Sequence, residues 1–199
     1  MPEQPRPPDP RTHLRQKDNS MTVTHDLGAG APGAPVVAGP ELLRSAFRRH
    51  AAGVAVITAP GPAARGGRPA GFTASSLTSV SADPPLVSFG IGTGSSSWPA
   101  VAEAAHIGVH LLGEEQSALA ATFARSGADR FAPPTRWTAG PEGVPVLDGV
   151  LAWLVCRVVG RVPAGDHRIV IAEVVAGDAA AREGRPLLYH HGRFNALRD

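Results

Sequence analysis

The chain has 199 residues, 43% of them apolar, which suits one globular domain with a tail. Its formal net charge is only +2 and it has no basic stripe, so the one functional class that composition excludes is a strongly basic nucleic-acid-binding protein. The single cysteine, Cys156, excludes an intramolecular disulfide and a cysteine-rich metal site. No apolar run approaches the roughly 20 residues that span a bilayer, and no signal core precedes the domain, so we expect a cytoplasmic protein without membrane or nucleic-acid partners.

The first 38 residues are polar and rich in proline and glycine. Such a segment buries too little apolar surface to offset its ordering entropy, so we predict that 1–38 is disordered and that 39–199 forms the globular domain. Met21 begins "MTVTHDLG", so translation starts at Met1 or at Met21, and the sequence leaves both open.

The predicted elements begin with a helix over 40–52 that Gly53 ends. Apolar residues recur in it at helical spacing, namely Leu42, Leu43, Ala46 and Phe47. Shorter helices are predicted over 97–105 and 114–125. Apolar, β-branched runs predict strands over 54–59, 70–75, 84–91, 107–112, 149–162 and 167–179, with a last strand within 185–194. Many strands, few helices and no alternation of strand and helix predict a mainly β fold, a barrel with flanking helices.

The stretch "GFTASSLTSVS", from Gly71 to Ser81, carries six hydroxyl side chains between two apolar runs. Thr73 and Ser75 share a strand face, so the stretch is either a wet edge strand or the wall of a ligand site. We expect residues 77–81 to turn and pack the barrel.

A second hydroxyl cluster, "GIGTGSSSW", contains Ser95, Ser96 and Ser97 just before the predicted helix with Pro99 in its first turn. It matches neither the dinucleotide-binding pattern G-x-G-x-x-G nor a P-loop. Free backbone N–H groups and hydroxyls there can bind a phosphate, and a single serine can equally act as a helix N-cap.

His167 in "AGDHRIV" follows a Gly-Asp turn and precedes a long apolar strand, where it can bind a substrate, act as an acid or cap the turn. His110 alternates with apolar residues and is predicted to be packed. His190 and His191 lack a third ligand at suitable spacing, so no metal is expected. No G-x-S-x-G elbow is present for a serine hydrolase, and Cys156 in "WLVCRVV" is predicted to be a buried, inert thiol.

Six segments occur in an order that resembles the flavin reductase family: "FRRHAAGVAVITA", "GFTASSLTSVSADPPLVSFGI", "SSSW", "DRF", "AGDHRIVIAEV" and "PLLYHHGRF". These are small NAD(P)H:flavin oxidoreductases with the FMN-binding split-barrel fold, and they often serve as the reductase half of two-component monooxygenases. The resemblance covers roughly residues 41–197 and implies that 39–199 is a split-barrel domain.

The resemblance implies which residues bind the cofactors. The flavin contacts that it implies are Gly71, Phe72, Thr73, Ser75, Ser76, Gly90, Ile91, Gly92, Ser96, Ser97 and Phe123, with Ser96 and Ser97 at the phosphate. The nicotinamide contacts are Asp166, His167, Tyr189 and Arg193, with His167 as the catalytic residue. Some relatives have an arginine or lysine near "SSSW" where this chain has serine, so backbone N–H groups and the helix dipole are expected to hold more of the phosphate charge.

The implied activity is hydride transfer from NADH or NADPH to FAD or FMN, in a homodimer that supplies reduced flavin to a partner monooxygenase. Two alternatives remain open, a split barrel that binds flavin without turnover and a self-contained flavoenzyme with its own substrate. Hydride transfer needs no strong acid or base, which agrees with the lack of a paired-carboxylate motif.

Overall fold

A computed structural model describes residues 39–62, 66–180 and 182–197, so the predicted disorder of 1–38 lies outside the described residues. The helices are α1 (Pro40–Arg48), α2 (Trp98–Glu103) and α3 (Ser117–Ala124). The strands are β1 (Ala52–Gly53), β2 (Ala55–Ala59), β3 (Ala70–Ala74), β4 (Thr78–Ala82), β5 (Pro85–Gly92), β6 (His106–Leu111), β7 (Trp137–Ala139), β8 (Pro145–Leu147), β9 (Ala152–Ala164), β10 (His167–Asp178), β11 (Leu187–His190) and β12 (Arg193–Ala196). Short 3₁₀ turns cover Glu114–Gln116 and Pro141–Gly143.

Seven of these strands form one antiparallel sheet in the order β3-β2-β6-β9-β10-β5-β4. Its edge strands β3 and β4 do not pair with each other, so the sheet curls without closing. The pairing of β9 with β10 shifts register twice, between Ile171 and Ala172 and between Val174 and Ala176, and such irregularities let two long strands bend. A small sheet β1-β11-β12 and the hairpin β7-β8 lie outside the large sheet.

The residues of β2 are buried throughout because the strand is covered on both faces. Ile57 belongs to a core that also contains Phe89 and Ile107, whereas Val56 belongs to a second core with Phe123 and Leu112. A continuous apolar run is the expected pattern for such a strand, which is why "VAVITA" was predicted correctly, within one residue at its start.

The prediction that Gly53 ends the first helix is wrong. The helix ends at Arg48, where the N–H of Arg49 donates to the carbonyls of Ala46 and Phe47, and Ala52–Gly53 instead pairs with β11. No residue of α1 is buried, and the side chains of its apolar stripe are exposed. The prediction of a helix from the apolar spacing is therefore correct, but the apolar face of α1 does not pack on the described part of the same chain.

Residues 77–81 were predicted to turn, and that prediction is also wrong, because 78–82 form the edge strand β4 beside β5. Four of its five residues are exposed, so no apolar alternation marks it as a strand. The hairpin β7-β8 was not predicted, and the last predicted strand is a hairpin, β11-β12, whose turn carries positive φ at His191 (53°) and Gly192 (77°).

Two buried residues match their predictions. The His110 ring is fully buried with Nδ1 3.0 Å from the Val56 carbonyl oxygen, and burial lowers its pKa to about 4. Cys156 is buried in the sheet, and burial raises the pKa of its thiol to about 12, so the thiolate is scarce at neutral pH.

The buried His110 makes the fold acid-sensitive. Its pKa is lower in the folded state (about 4) than in the unfolded chain (6.5), so its contribution to stability is complete above pH 6.5 and is lost as the pH falls towards 4. At about 1.4 kcal/mol per pH unit, this window removes roughly 3 kcal/mol. Urea unfolding of the wild type and of His110→Gln between pH 7 and 4 measures it, with a shallower pH dependence expected for the variant.

The exposed His50 provides a control, and His50→Gln should follow the wild-type curve. Equal pH slopes for wild type and His110→Gln would contradict the assignment of the acid sensitivity to His110.

Candidate functional site

The outer face of β5 is bare backbone at two positions. Gly90 and Gly92 lie on this face, whereas the alternating residues Phe89 and Ile91 are buried in the core. The antiparallel register of β5 with β10 places His167 directly opposite Gly92. The face therefore offers a flat backbone surface to which a planar ring can approach closely. We call Gly90, Gly92 and this stretch of β5 the glycine face.

Two polar side chains flank the glycine face. A Cβ atom added to Gly92 would lie 3.6 Å from Nε2 of His167, and one added to Gly90 would lie 3.6 Å from Oγ of Ser76. The N–H of Gly90 donates to Oγ of Ser76 at 2.9 Å, which fixes the loop after β3 against β5. His167 and Ser76 thus stand at neighbouring points of the same face.

The orientation of His167 is set by Asp166. Its Nδ1 lies 2.7 Å from Oδ1 of Asp166, so the Nδ1 proton is donated to the carboxylate and Nε2 remains available on the glycine side. The hydrogen bond and charge of His167 lower the pKa of Asp166. The N–H and hydroxyl of Thr93 both donate to the Asp166 carbonyl, at 2.9 and 3.0 Å, which holds the turn in place.

In the hydroxyl-rich segment that runs from Gly71 in β3 to Ser76 just after it, some side chains hold the fold together and others are exposed. Thr73 donates to the Ala120 carbonyl of α3 at 2.6 Å, and Phe72 packs with its ring centroid 6.0 Å from that of Phe89. Ser75 and Ser76 are exposed. The structure therefore leaves the last two residues of this segment, and the backbone of the edge strand, available to a ligand.

A basic cleft of about 660 Å³ lies at the opposite, N-terminal end of β3. We call it the Arg130 cleft, and residues that line it include Arg68, Gly71, Ser96, Arg130 and Trp137, with Asp129 as its acidic residue. Nη1 of Arg130 lies 3.3 Å from the hydroxyl oxygens of both Ser96 and Ser97, and Nη2 donates to the Arg125 carbonyl at 2.7 Å. Burial lowers the pKa of Arg130, which nevertheless carries the positive charge of this cleft.

Ser97 and Phe123 are buried behind the Arg130 cleft and contact Gly71, which lines it. Ser97 is fully buried and donates to the Gly71 carbonyl at 2.7 Å, so its hydroxyl proton already has an acceptor. The Phe123 ring is fully buried, and a Cβ atom on Gly71 would lie 2.8 Å from it. Both residues support the backbone at Gly71, and the exposed Ser96 is the serine whose hydroxyl faces solvent.

The residues of the Arg130 cleft fit a phosphate. Nε of Arg130 is buried and, among the described residues, has no hydrogen-bond partner. That Nε–H shares an edge of the guanidinium with Nη2, whereas Nη1 faces the serines. A phosphate in the cleft can therefore accept hydrogen bonds from Nη1 of Arg130 and from the Ser96 hydroxyl, a charge-assisted contact typical of arginine and phosphate. Sequence reasoning assigned this charge to backbone N–H groups and missed Arg130, although the "DRF" motif contains it.

The helix α2 begins directly after Ser96 and Ser97, and an arginine of the large sheet anchors it. Arg161 of β9 donates through Nη2 to the carbonyls of Val101 and Ala104, at 2.9 and 2.5 Å, at the C-terminal end of this helix. The six-residue helix is too short to hold its own position, so this clamp helps to fix the Ser96–Ser97 turn that precedes it.

A second cleft, of about 850 Å³, lies beyond Ser75 and Ser76 against α1. We call it the α1 cleft. Tyr189 lines it and packs against Phe194 with ring centroids 5.6 Å apart. Tyr189 therefore shares a cleft with the two serines rather than with His167, and Arg193, exposed on β12 opposite His190, lines neither cleft.

The described ranges contain no group of three or more His, Cys, Asp or Glu side chains that could hold a metal ion, and the rings of His190 and His191 pack against each other. None of the helices described is long and apolar enough to cross a membrane.

Curated relatives resemble most of the chain. It is 45% identical over 154 residues to the NADH:FMN oxidoreductase of Rhodococcus erythropolis, covering 76% of this chain and 78% of that protein. It is 40% identical over 151 residues to the reductase component of the 4-nitrophenol 4-monooxygenase/4-nitrocatechol 2-monooxygenase of Rhodococcus opacus, covering 76% and 77% of the two chains.

Solved structures share the fold. A flavin reductase domain protein from Arthrobacter sp. FB24 superimposes with a TM-score of 0.74 at 42% identity, over 80% of this chain and 96% of that one. The NADH:FAD oxidoreductase SgcE6 of Streptomyces globisporus C-1027, solved in complex with NAD and FAD fragments, superimposes with a TM-score of 0.70 at 33% identity, over 78% and 91%. The predicted mainly β, split-barrel fold is thereby confirmed.

The sequence pattern of one family, described as the flavin reductase like domain, matches residues 47–198, which is nearly the whole described domain. The order of motifs predicted this family, and the match confirms it: the chain belongs to the flavin reductase like domain family.

Proposed function

We propose that this chain transfers hydride from NADH to FMN or FAD and supplies the reduced flavin to a partner monooxygenase. The observation that carries the proposal is the arrangement of His167 and the glycine face on the β5-β10 pair together with the Arg130 cleft at the start of the edge strand β3. Relatives named as an NADH:FMN oxidoreductase and as a monooxygenase reductase component support it. NADH is a cytoplasmic metabolite, so we assign the activity to the cytoplasm.

Flavin is held, in this proposal, along β3. Arg130 and Ser96 bind its phosphate, and the backbone from Gly71 to Ser76 lies along the ribityl chain and ring. At about 3.3 Å per residue, that stretch spans roughly 16 Å, which suits a flavin mononucleotide from phosphate to ring. β3 is an edge strand that pairs only with β2, so part of its backbone N–H and C=O groups face the ligand side unpaired.

Bound flavin supplies the atom that accepts the hydride, and reduced nicotinamide supplies the hydride. The protein's contribution is to stack the two rings on the glycine face and to stabilise the negative charge that develops on the flavin. Backbone N–H groups of the edge strand and the Ser76 loop provide fixed donors for that charge. No side chain has to exchange a proton with solvent during the transfer.

His167 orients the nicotinamide in this arrangement. Because Asp166 accepts the Nδ1 proton, Nε2 points away from the turn and can accept a hydrogen bond from the nicotinamide carboxamide. The half-exposed ring lies against Gly92, so a planar ligand on the glycine face touches it. His167 is thereby a positioning group in contact with the substrate.

A flavin-dependent oxidation of NADH tests the activity. We expect NADH oxidation, followed at 340 nm, to depend on added FMN or FAD and to be slow without it, because the flavin is a substrate. The same assay with NADPH measures the nicotinamide preference. Turnover that fails to appear with either nicotinamide and with FMN, FAD or riboflavin would refute the proposal and favour a flavin-binding protein without turnover.

Two single variants separate the flavin and nicotinamide sites. Arg130→Ala should raise the KM for FMN by about tenfold or more, because a charge-assisted phosphate contact is lost, and should leave the KM for riboflavin unchanged. His167→Ala should raise the KM for NADH by about tenfold and leave the KM for FMN within about twofold. Steady-state kinetics with each substrate varied in turn measures both.

Each variant is the control for the other. Equal increases in the KM values for FMN and riboflavin in Arg130→Ala would show that Arg130 acts only by bracing the 125–130 loop. An unchanged KM for NADH in His167→Ala would remove His167 from the nicotinamide site.

Pairing of two copies is part of the proposal. Ile169 (41% exposed) and Val162 (47%) lie opposite each other on β10 and β9, and Ile169 is also opposite Gly90, so an apolar patch borders the glycine face. Burial of such a patch favours a homodimer with the flavin cleft near the interface.

Sedimentation equilibrium measures this pairing. The wild type should have about twice the 20.5 kDa mass of the chain, and Ile169→Asp should shift it towards monomer with its circular dichroism spectrum retained. A monomeric wild type at micromolar concentration would contradict the pairing.

A further inference from the structure

The α1 cleft is basic, and of its lining only Ser75 and Ser76 also belong to the flavin site described above. Its basic side chains are Arg44, Arg48, His50, His190 and His191, and its hydroxyl side chains are Ser75, Ser76 and Thr78. Among the residues that the structure describes, none with an acidic side chain lines it. Arg44 pairs with the exposed Glu41 at 3.1 Å, and among the described residues the Arg48 guanidinium has no hydrogen-bond or ion-pair partner. The cleft therefore has positive charge available for an anionic ligand.

The walls of the α1 cleft are fastened together. The N–H of His191 donates to the Arg48 carbonyl at 3.0 Å, which ties the β11-β12 turn to the end of α1. β1 pairs with β11, with Ala52 opposite Tyr189. Arg44 and Arg48 are four residues apart on α1, so they lie on the same side of the helix one turn apart.

Ser76 connects this cleft with the glycine face. Its side chain lines the α1 cleft, and its hydroxyl also accepts the Gly90 N–H at 2.9 Å. The Arg130 cleft lies at the other end of β3, beside Gly71. In the described part of the chain, a cleft lined by arginine side chains thus lies at each end of the strand proposed to hold the flavin.

We propose that the α1 cleft binds the pyrophosphate of NADH, with Arg44 and Arg48 as its principal cationic contacts; the inference rests on the proposed reductase activity. Each cleft then serves one nucleotide, since the flavin phosphate occupies the Arg130 cleft. A pyrophosphate carries two negative charges, which suits two arginines one helical turn apart. The exposed rings of Phe47 and Tyr189 line the same cleft and offer an apolar surface to the adenosine.

The double variant Arg44→Ala/Arg48→Ala tests the inference with two electron donors. NADH contains the AMP half, and reduced nicotinamide mononucleotide lacks it. The KM for NADH should rise by about tenfold or more, because charge-assisted contacts are lost, and the KM values for the mononucleotide and for FMN should change by less than about twofold. Arg136→Ala is the matched control, because Arg136 is an exposed arginine that pairs with Asp148 and lines neither cleft.

Calorimetric titration with ADP gives a readout that does not depend on turnover. ADP should bind the wild type and Arg136→Ala equally and the double variant about tenfold or more weakly. Arg44→Lys/Arg48→Lys should retain part of the affinity, since lysine keeps the charge without the planar fork. Removal of the side chains leaves the Arg48 carbonyl contact in place, and a thermal melt checks that the variants fold.

Three results would overturn the inference: no ADP binding by the wild type, equal ADP affinity in the double variant, or equal KM increases for NADH and the mononucleotide. A raised KM for FAD with unchanged KM values for NADH and FMN would assign the cleft to the flavin adenylate and would overturn it as well. Failure of the reductase proposal looks different, because the wild type would then lack flavin-dependent turnover whatever its affinity for ADP.

Discussion

The antiparallel register of β5 against β10 is the constraint on which the proposed site depends. It sets His167 opposite Gly92 and Ile169 opposite Gly90, so one face carries the histidine and the bare backbone while the other carries Phe89 and Ile91 into the core. A shift of one residue would exchange the two faces, because side chains alternate along a strand. Burial of Phe89 and Ile91 therefore also determines that Gly90 and Gly92 face the ligand side, and no further interaction is needed to set the orientation of β5.

The hydroxyl side chains near the site have two roles, since some form hydrogen bonds that hold the fold together and others are exposed to a ligand. Thr73 and Ser97 each donate to a backbone carbonyl, of Ala120 and of Gly71, and so join β3 to α3 and to the turn before α2. Thr58 of β2 does the same between the large sheet and the β7-β8 hairpin by donating to the Pro145 carbonyl. These contacts satisfy buried carbonyls and leave Ser75, Ser76 and Ser96 for ligands, although all of them look alike in the sequence.

Most of the fold could be predicted from the sequence because its buried strands are continuous apolar runs. The edge strand β4 could not, since it is largely exposed and rich in hydroxyls, and the helix α1 was predicted in type but not in its exposure. Of the site, His167 and the serines follow from local motifs. Arg130 does not, because it lies 34 positions from Ser96 in the sequence and only tertiary packing brings the two side chains together. No pattern of residue spacing predicts such a contact.

The unpaired edge of β3 has a consequence for the protein without its ligand. An unpaired strand edge is a template for pairing with other chains, and β3, although its side chains are buried or half-buried, has neither lysine nor proline to discourage such pairing. A flavin lying along that edge would shield it. By mass action, a ligand at about a hundred times its Kd adds roughly 2.7 kcal/mol to the free energy of unfolding. The same strand that binds the substrate thus couples the solubility and lifetime of the enzyme to the supply of flavin in its surroundings.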